Sequence, residues 1–256
     1  MAETEVAART ILKSRYLVAL TGAGVSVESG IPPFRGPDGL WTRFGEPDMR
    51  DYERFKADPK GWWDRRLKHT QEPMGLGRSI RGAEPNLGHY AFAKLEQIGV
   101  LKALITQNID NLHNVAGSRN VVEIHGNAYK LRCTTCHNRY EAEGFQVKEI
   151  PPRCPECGGV MKDDTVMFGE PIPSDVLRRC YEETHKCDCM LVIGTSGIVY
   201  PAAALPISVK QGGGILIEVN PRETELTVLC DITLRAPSGE VLPKLVEEIK
   251  RMREGQ

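Results

Sequence analysis

Thr21-Gly22-Ala23-Gly24-Val25-Ser26-Val27-Glu28-Ser29-Gly30-Ile31-Pro32-Pro33-Phe34-Arg35-Gly36 is the stretch whose reading decides the fold. The apolar run before it, Tyr16-Leu17-Val18-Ala19-Leu20, reads as a buried parallel strand. The strand feeds a glycine turn, and the spacing predicts a short helix from Val25 or Ser26. Gly22 and Gly24 carry no Cβ to hold a pyrophosphate off the backbone, and a helix N-terminus beyond them offers free N–H groups and a positive dipole end. These are features of a dinucleotide site. The usual fingerprint asks for a third glycine where Val27 stands, and for a ribose-binding acid about 20 residues further on; neither is present. The chain runs instead into Pro32-Pro33-Phe34-Arg35-Gly36, too proline-rich for a helix interior. A phosphate turn followed by a stiff loop bearing Phe and Arg is not an ordinary dehydrogenase start.

Outside this stretch the totals narrow the classes. A chain of 256 residues, 41% hydrophobic and 26% charged, holds one large domain with insertions or two modest ones. The net charge of −1 argues against nucleic-acid or membrane-surface partners. No apolar run approaches the roughly 18 residues of a membrane span. The N-terminus has Glu3 and Glu5 and no apolar signal region, so a cytoplasmic location is expected.

Residues 3–15 read as a short amphipathic helix. Residues 37–84, with Trp41, Phe44, Tyr52, Phe55, Trp62 and Trp63 set among charges and breakers, read as a helical insertion. Its aromatics make either a small core or a lid. Residues 75–86, rich in glycine, read as a surface loop. Asn86 caps a helix over 87–98, and Leu101–Thr106 is a strand with Gln107-Asn108-Ile109-Asp110 at its end. Polar residues there are where open α/β sheets bind ligands; an Asx turn before a helix cap would account for Asp110 alone. Val121–Gly126 is a strand ending in His125, which is either structural or the one side chain suited to proton transfer near neutrality. Residues 165–173 read as a short strand and turn, and 174–187 as a helix. Met190–Ile193 is a strand leading into Gly194-Thr195-Ser196-Gly197, a second small-residue turn suited to phosphate or ribose. Ile215–Val219 is a strand that ends at Asn220-Pro221, and 239–253 is an amphipathic helix.

Cys133-Thr134-Thr135-Cys136 and Cys154-Pro155-Glu156-Cys157, 17 residues apart, have the spacing of a zinc ribbon. Four thiolates fill the tetrahedron and leave no position for water, so the site is structural rather than catalytic; a redox pair is the alternative. Cys180, Cys187, Cys189 and Cys230 lie in apolar or helical contexts and read as reduced core thiols.

Taken in order, Gly22-Ala23-Gly24-Val25-Ser26, Gly30–Gly36, Thr106–Asp110, His125-Gly126, the four paired cysteines, Phe168-Gly169-Glu170, Gly194-Thr195-Ser196, Pro201-Ala202-Ala203 and Val219-Asn220 give the chain, from about residue 10 to 250, a pattern that resembles the sirtuins, the NAD-dependent protein lysine deacylases. The resemblance implies roles. Gly22, Ala23, Gly24 and Ser26 line the phosphates of NAD; Phe34 shields the reactive ribose carbon and Arg35 holds the loop. Gln107 and Asn108 serve the nicotinamide ribose, and Ile109 and Asp110 take the carboxamide. Gly194, Thr195, Ser196, Asn220 and Pro221 hold the adenosine half, with Ser238 beside the adenine. Val166-Met167-Phe168-Gly169 pairs with an extended acyl-lysine peptide of a partner protein. His125 is the general base and, with Asn108, the catalytic group. Zn²⁺ sits on Cys133, Cys136, Cys154 and Cys157.

The resemblance implies an α/β fold: a Rossmann-like parallel-sheet domain (1–36, 85–127 and 165–256) with an inserted helical module (37–84) and an inserted four-cysteine zinc-ribbon module (128–164). It implies transfer of an acyl group from lysine to ADP-ribose with release of nicotinamide. A mono-ADP-ribosyltransferase using the same NAD site and a non-catalytic NAD-binding module are the alternatives; His125, Asn108 and Asp110 together disfavour the second. Three departures stand out: Pro33 for the more usual Asp or Thr, Lys162-Asp163 for Lys-Pro or Arg-Pro, and a glycine-rich 75–84 segment. Sirtuins that remove succinyl or malonyl groups carry a Tyr-x-x-Arg pair in the helical module. The nearest match is Trp63-Asp64-Arg65-Arg66, which lacks the phenol, so neutral acyl groups are expected over dicarboxylic ones.

Overall fold

The computed structural model describes residues 3–36, 39–46, 48–69 and 76–255. The first half runs α1 (Glu3–Lys13), β1 (Leu17–Thr21), a 3₁₀ helix (Ala23–Ser29), α2 (Leu40–Phe44), α3 (Asp51–Ala57), α4 (Pro59–His69), α5 (Leu76–Arg81), α6 (Leu87–Gln97), β2 (Leu101–Thr106), α7 (Leu112–Val115) and β3 (Val121–Glu123). The second half runs β4 (Lys130–Cys133), β5 (Arg139–Glu141), β6 (Met161–Asp163), α8 (Ser174–Lys186), β7 (Cys189–Ile193), α9 (Ala204–Gln211), β8 (Ile215–Val219), a 3₁₀ turn (Thr227–Leu229), β9 (Ile232–Leu234) and α10 (Ser238–Glu254).

Six strands form one sheet in the order β3-β2-β1-β7-β8-β9, every pair parallel. All five residues of β1 are buried, as expected of a strand covered on both faces. Alternation along it divides the core. Leu17 and Ala19 pack with Ile11, Phe92, Leu95 and Leu242 under α1, α6 and α10; Val18 and Leu20 pack with Cys180, Leu205 and Val209 under α8 and α9. Strand order reverses between β1 and β7. Ligands of open parallel sheets bind at such a switch, outside the carboxyl ends of the strands.

Two helix starts are closed by side chains. Asn86 accepts the Gly88 N–H at 2.9 Å while His89 Nδ1 accepts the Asn86 N–H at 3.2 Å, a capping box with histidine in the usual Glu/Gln place. At α10 the Glu28 carboxylate accepts the Gly239 N–H at 2.8 Å, satisfying a donor that has no intrahelical partner.

The second sheet is antiparallel, in the order β5-β4-β6, and carries the four paired cysteines at its tips. Its core is shared with α4: Trp63 is buried among Leu131, Cys133, Cys154 and Met161, and its indole N–H donates to Met161 O at 2.8 Å. This tryptophan therefore belongs to the ribbon's core, while Trp41 and Trp62 line the cleft described below.

Four expectations are corrected. The helix after Gly22 is a 3₁₀ helix and begins at Ala23, closed by Gly30 in the left-handed region. Residues 76–81, expected as loop, form α5; the glycine at 75 lies outside the described residues. The strand ending at His125 stops at Glu123, because Ile124–Gly126 turn back, with the Gly126 N–H on Glu123 O at 3.0 Å. Residues 165–173 contain no strand: the ladder ends with β6 at Asp163, and 166–170 make turn contacts instead. Among the described residues no strand lies beside this segment to pair with it.

Candidate active site

The ends of β1, β2 and β7 open on a cleft of ≈ 2250 Å³. A typical small-molecule pocket is about 300–1,000 Å³, so this one has room for a dinucleotide and part of a second substrate. Its floor is made by two turns pressed together. A Cβ on Gly22 would lie 2.8 Å from Gly194 O, and one on Gly24 would lie 2.6 Å from Gly194 Cα. The sequence suggests that these glycines clear space for phosphate; the fold shows that they first let the β1 and β7 turns touch. The Gly24 N–H seals the contact on Gly194 O at 2.8 Å.

Behind the floor lies a buried polar chain. Asn108 Nδ2 donates to Gly22 O at 3.1 Å and to Ser26 Oγ at 3.0 Å, which uses both its hydrogens and leaves Oδ1 as the group it can offer the cleft. Ser26 Oγ gives its own hydrogen to Asp110 Oδ2 at 2.6 Å. Asp110 Oδ1 accepts the Leu112 N–H at 3.0 Å. The Asx-turn reading of Asp110 thus explains one oxygen, and Ser26 explains the other. Burial pushes the Asp110 carboxyl above its ordinary value, opposed by the Ser26 hydrogen bond. Ser26 Oγ also lies 3.5 Å from His89 Nε2; since His89 Nδ1 accepts the Asn86 N–H, Nε2 carries the proton.

His125 sits beside this chain. Its Nδ1 lies 3.1 Å from Gln107 O, and a carbonyl can only accept, so Nδ1 carries the hydrogen and Nε2 keeps a lone pair. Burial lowers the imidazole pKa, opposed by the Gln107 hydrogen bond. Gln107 Nε2 in turn ties to Thr195 Oγ1 at 2.9 Å. Gly126 has φ +76, and a Cβ there would meet Asp164 O at 2.0 Å, so only glycine lets the His125 turn sit against the strand end after β6.

Two further walls complete the cleft. Phe34 contacts the Trp41 ring at 5.4 Å between centroids, Trp41 meets Phe168 edge-on at 5.7 Å, and the Arg35 guanidinium lies 4.3 Å over Trp41. This aromatic series joins the proline loop to the segment Val166–Gly169. That segment is pinned by the Val166 N–H on His125 O at 2.8 Å and by Tyr52 N–H on Phe168 O at 3.1 Å. At the other end, Asn220 Nδ2 donates to Thr195 O at 3.3 Å, and Ser238 Oγ donates to Glu28 at 3.3 Å.

Gly22, Ala23, Gly24, Phe34, Arg35, Gln107, Asn108, Ile109, His125, Val166–Gly169, Gly194–Ser196, Asn220, Pro221 and Ser238 all line this one cleft. Ser26 and Asp110 lie behind its wall, almost wholly buried. The sequence reading did not single out Glu28, Arg222 or Asp163, which also line it. Only the Lys162-Asp163 departure hinted at the last.

The sulfurs of Cys133, Cys136, Cys154 and Cys157 all lie within 4.8 Å of one another, with Cys133 to Cys157 at 3.5 Å and Cys136 to Cys154 at 3.7 Å. Four thiolates around Zn²⁺ at about 2.3 Å are about 3.8 Å apart, so the set fits a tetrahedral zinc. Cys180, Cys187 and Cys189 are buried, and burial pushes their thiols up to about 12, as for inert core residues.

Comparison with known proteins agrees with this geometry. Residues 22–201 match the sequence model of the Sir2 family. The chain is 47% identical over 243 residues to NAD-dependent protein deacylase 1 of Archaeoglobus fulgidus, covering 95% of this chain and 96% of that protein. It is 45% identical over 252 residues to the NAD-dependent protein deacylase of Pyrococcus furiosus, covering 95% and 97%. Among solved structures, a Sir2 homolog–NAD complex superposes with TM-score 0.80 at 45% identity over 97% of this chain and 94% of that one. A Sir2–p53 peptide–NAD⁺ complex superposes with TM-score 0.77 at 35% identity over 97% and 98%. With its parallel sheet, its four-cysteine ribbon and its cleft at the strand-order switch, this chain belongs to the Sir2 family.

Proposed function

We propose that this protein is an NAD-dependent protein lysine deacylase, which moves the acyl group of an acyl-lysine to ADP-ribose and releases nicotinamide and free lysine. The observation that carries the reading is the position of His125. Its free Nε2 belongs to a cleft shared by the Gly22–Gly24 and Gly194–Ser196 turns and by the Val166–Gly169 segment. NAD lies along the turns, with the adenosine half toward Asn220 and Ser238 and the nicotinamide half toward Asn108 and Ile109. The acyl-lysine peptide adds an extended strand beside Val166–Gly169, where the protein's own ladder stops. The acyl oxygen displaces nicotinamide at the ribose carbon under Phe34. His125 then takes the proton of a ribose hydroxyl as it attacks the acyl carbon, and water completes the transfer to O-acyl-ADP-ribose. Asp110, held by Ser26, fixes the Asn108 side of the pocket. Zn²⁺ holds the ribbon together and takes no part in the chemistry.

We divide the chain accordingly into the parallel-sheet domain (1–36, 85–127, 165–256), the helical module (37–84) and the ribbon (128–164). Among the described residues no helix is long and apolar enough to cross a membrane. The buried free thiols favour a reducing compartment, and we assign the protein to the cytoplasm.

The test is incubation with NAD and an acetyl-lysine peptide, with both products followed by mass spectrometry. Equimolar deacetylated peptide, nicotinamide and O-acetyl-ADP-ribose are expected. ADP-ribosylated protein with the acetyl group left in place would favour the transferase reading instead.

A further inference from the structure

The group that holds the Gln107 carbonyl in place is not used by the chemistry above. Gln107 C=O and Asn108 N–H belong to one peptide unit, which is planar, so fixing one end fixes the other. The oxygen takes the His125 Nδ1–H at 3.1 Å, the ring's one hydrogen bond among the described residues. The N–H at the far end donates to Thr106 Oγ1 at 3.1 Å. Gln107 N–H still has a ladder partner in Thr21 O at 2.9 Å. The β1 strand ends at Thr21, and among the described residues no strand lies opposite the Asn108 N–H. The Thr106 hydroxyl supplies the acceptor that the sheet does not.

That hydroxyl is itself held. Thr21 and Thr106 are the last residues of β1 and β2 and face each other in register. Thr21 Oγ1 donates to Thr106 Oγ1 at 2.9 Å. Its hydrogen is thereby spent, so His113 Nε2, 3.0 Å away, donates to it. Thr21, Thr106 and His113 are all buried. A hydroxyl that accepts the N–H two residues on is common in surface turns, where it rotates freely. Here both acceptor sites of Thr106 are filled, by Thr21 and by Asn108, and the side chain is locked.

We infer that Thr106, steadied by Thr21, is a positioning residue for the general base: it sets the peptide plane whose carbonyl aims the His125 ring. The inference rests on the deacylase reading. Without the Thr106 hydroxyl the plane is free to tilt, and the Gln107 carbonyl moves off the His125 N–H. The ring then loses the bond that fixes both its orientation and its Nδ1–H tautomer. Asn108 keeps its own side-chain bonds to Gly22 O and Ser26 Oγ, so the loss falls on His125. Misalignment of a reacting group costs rate rather than binding.

The experiment compares Thr106→Val, which keeps the shape and removes the hydroxyl, with Thr106→Ser, which keeps the hydroxyl. For an acetyl-lysine peptide with NAD, Thr106→Val is expected to lower kcat and kcat/KM together by roughly 10- to 100-fold, and Thr106→Ser to restore most of that loss. Nitrogen NMR of histidine-labelled protein, with the His125 signals assigned by their loss in His125→Ala, is expected to show one tautomer in the wild type and a mixture in Thr106→Val. His113→Phe disturbs the same buried cluster but leaves the Thr21–Thr106–Asn108 bonds, and its kcat should stay near that of the wild type. If Thr106→Val does not fold, Thr21→Val decides, with a smaller fall in kcat of the same kind; an unchanged kcat there overturns the inference. An unchanged kcat or an unmixed tautomer in Thr106→Val, no recovery in Thr106→Ser, or an equal loss in His113→Phe also overturns it, while the deacylase reading stands. A wild type that removes no acyl group from the peptide overturns both.

Discussion

The Nδ1–H of His125 is committed to the Gln107 carbonyl, so only Nε2 can take a proton from substrate. Burial holds its pKa below the ordinary 6.5, and the imidazole stays neutral through the physiological range. The acid limb of kcat/KM for an acetyl peptide should accordingly have its midpoint below 6.5; a midpoint above it would point to another base. His125→Ala should lower turnover by roughly 10²–10⁴-fold while NAD still binds, measured by steady-state kinetics and calorimetry. Two other histidines matter for stability rather than rate. His89 and His113 lie 4.8 Å apart between ring centroids, both desolvated, with His89 depressed to about 4 and His113 pushed well below its ordinary value. The unfolded chain binds protons on both near 6.5 and the folded chain does not. Their contribution is complete above that pH and is lost as pH falls toward 4. Asp110, raised by burial, acts with the opposite sign, so the slope reports the difference. Denaturant midpoints between about pH 7 and 4 should fall, and His113→Phe should flatten that fall; an equal slope in the variant would exclude His113 as its source.

At the scale of elements, the Val166–Gly169 segment, proposed above to meet the peptide, is anchored by a buried ionic cluster. Glu170 accepts from Arg132 Nη2 at 2.7 Å, from Lys162 Nζ at 3.0 Å and from the Met167 N–H at 2.8 Å. The side chains of Arg132 and Lys162 are 3% and 0% exposed, so neither cation can turn to water. Burial lowers the Lys162 pKa, and Glu170 opposes that shift. Removing one member of such a cluster leaves charge buried without a partner. Glu170→Ala should cost about 3–5 kcal/mol in chemical denaturation. It should also raise KM for the acyl peptide more than KM for NAD, since it frees the 166–170 turn and leaves the β1 and β7 turns intact. Equal effects on the two KM values would show that the cluster stabilises the fold without positioning the segment. A comparable anchor exists at the Asn220 end of the cleft. Glu218, buried in β8, pairs with Arg235 at 2.6 Å, and Arg235 also holds the Arg222 carbonyl at 3.1 Å.

For the whole molecule, the cleft exists only where three parts meet: the sheet's strand ends, the helices between residues 40 and 69, and the ribbon's last strand. The ribbon's core is small, with Leu131, Met161 and Trp63 around two of the cysteines, so its order depends on the metal. One zinc per chain should be found by elemental analysis. Chelation should melt the ribbon, strip Trp63 of its partner at Met161 and abolish activity, although the metal takes no part in the reaction. Full activity in metal-free protein would contradict that dependence.

Much of this was legible in the chain itself. The buried strands follow from apolar runs such as Leu17–Leu20 and Met190–Ile193, since a strand covered on both faces needs no polar residues. The Asn86 cap follows from local chemistry, and the zinc set from the spacing of two cysteine pairs. What depends on partners distant in sequence was not legible. Residues 165–173 look extended but find no neighbouring strand among the described residues, and they turn. Gly22 and Gly24 look like phosphate glycines, yet what forbids a side chain there is Gly194, far along the chain. The sequence offers Asp110 as a ligand contact or an Asx turn, and does not show that Ser26 and Leu112 take its two oxygens. Arg66 has the spacing of an anion-reading arginine, and only the tertiary structure sets Asp163 against it. Local pattern fixes what each segment can become, because propensity, capping and metal spacing act over a few residues. Which charges pair and which turns touch is decided by packing across the fold, which brings together groups that no stretch of sequence contains.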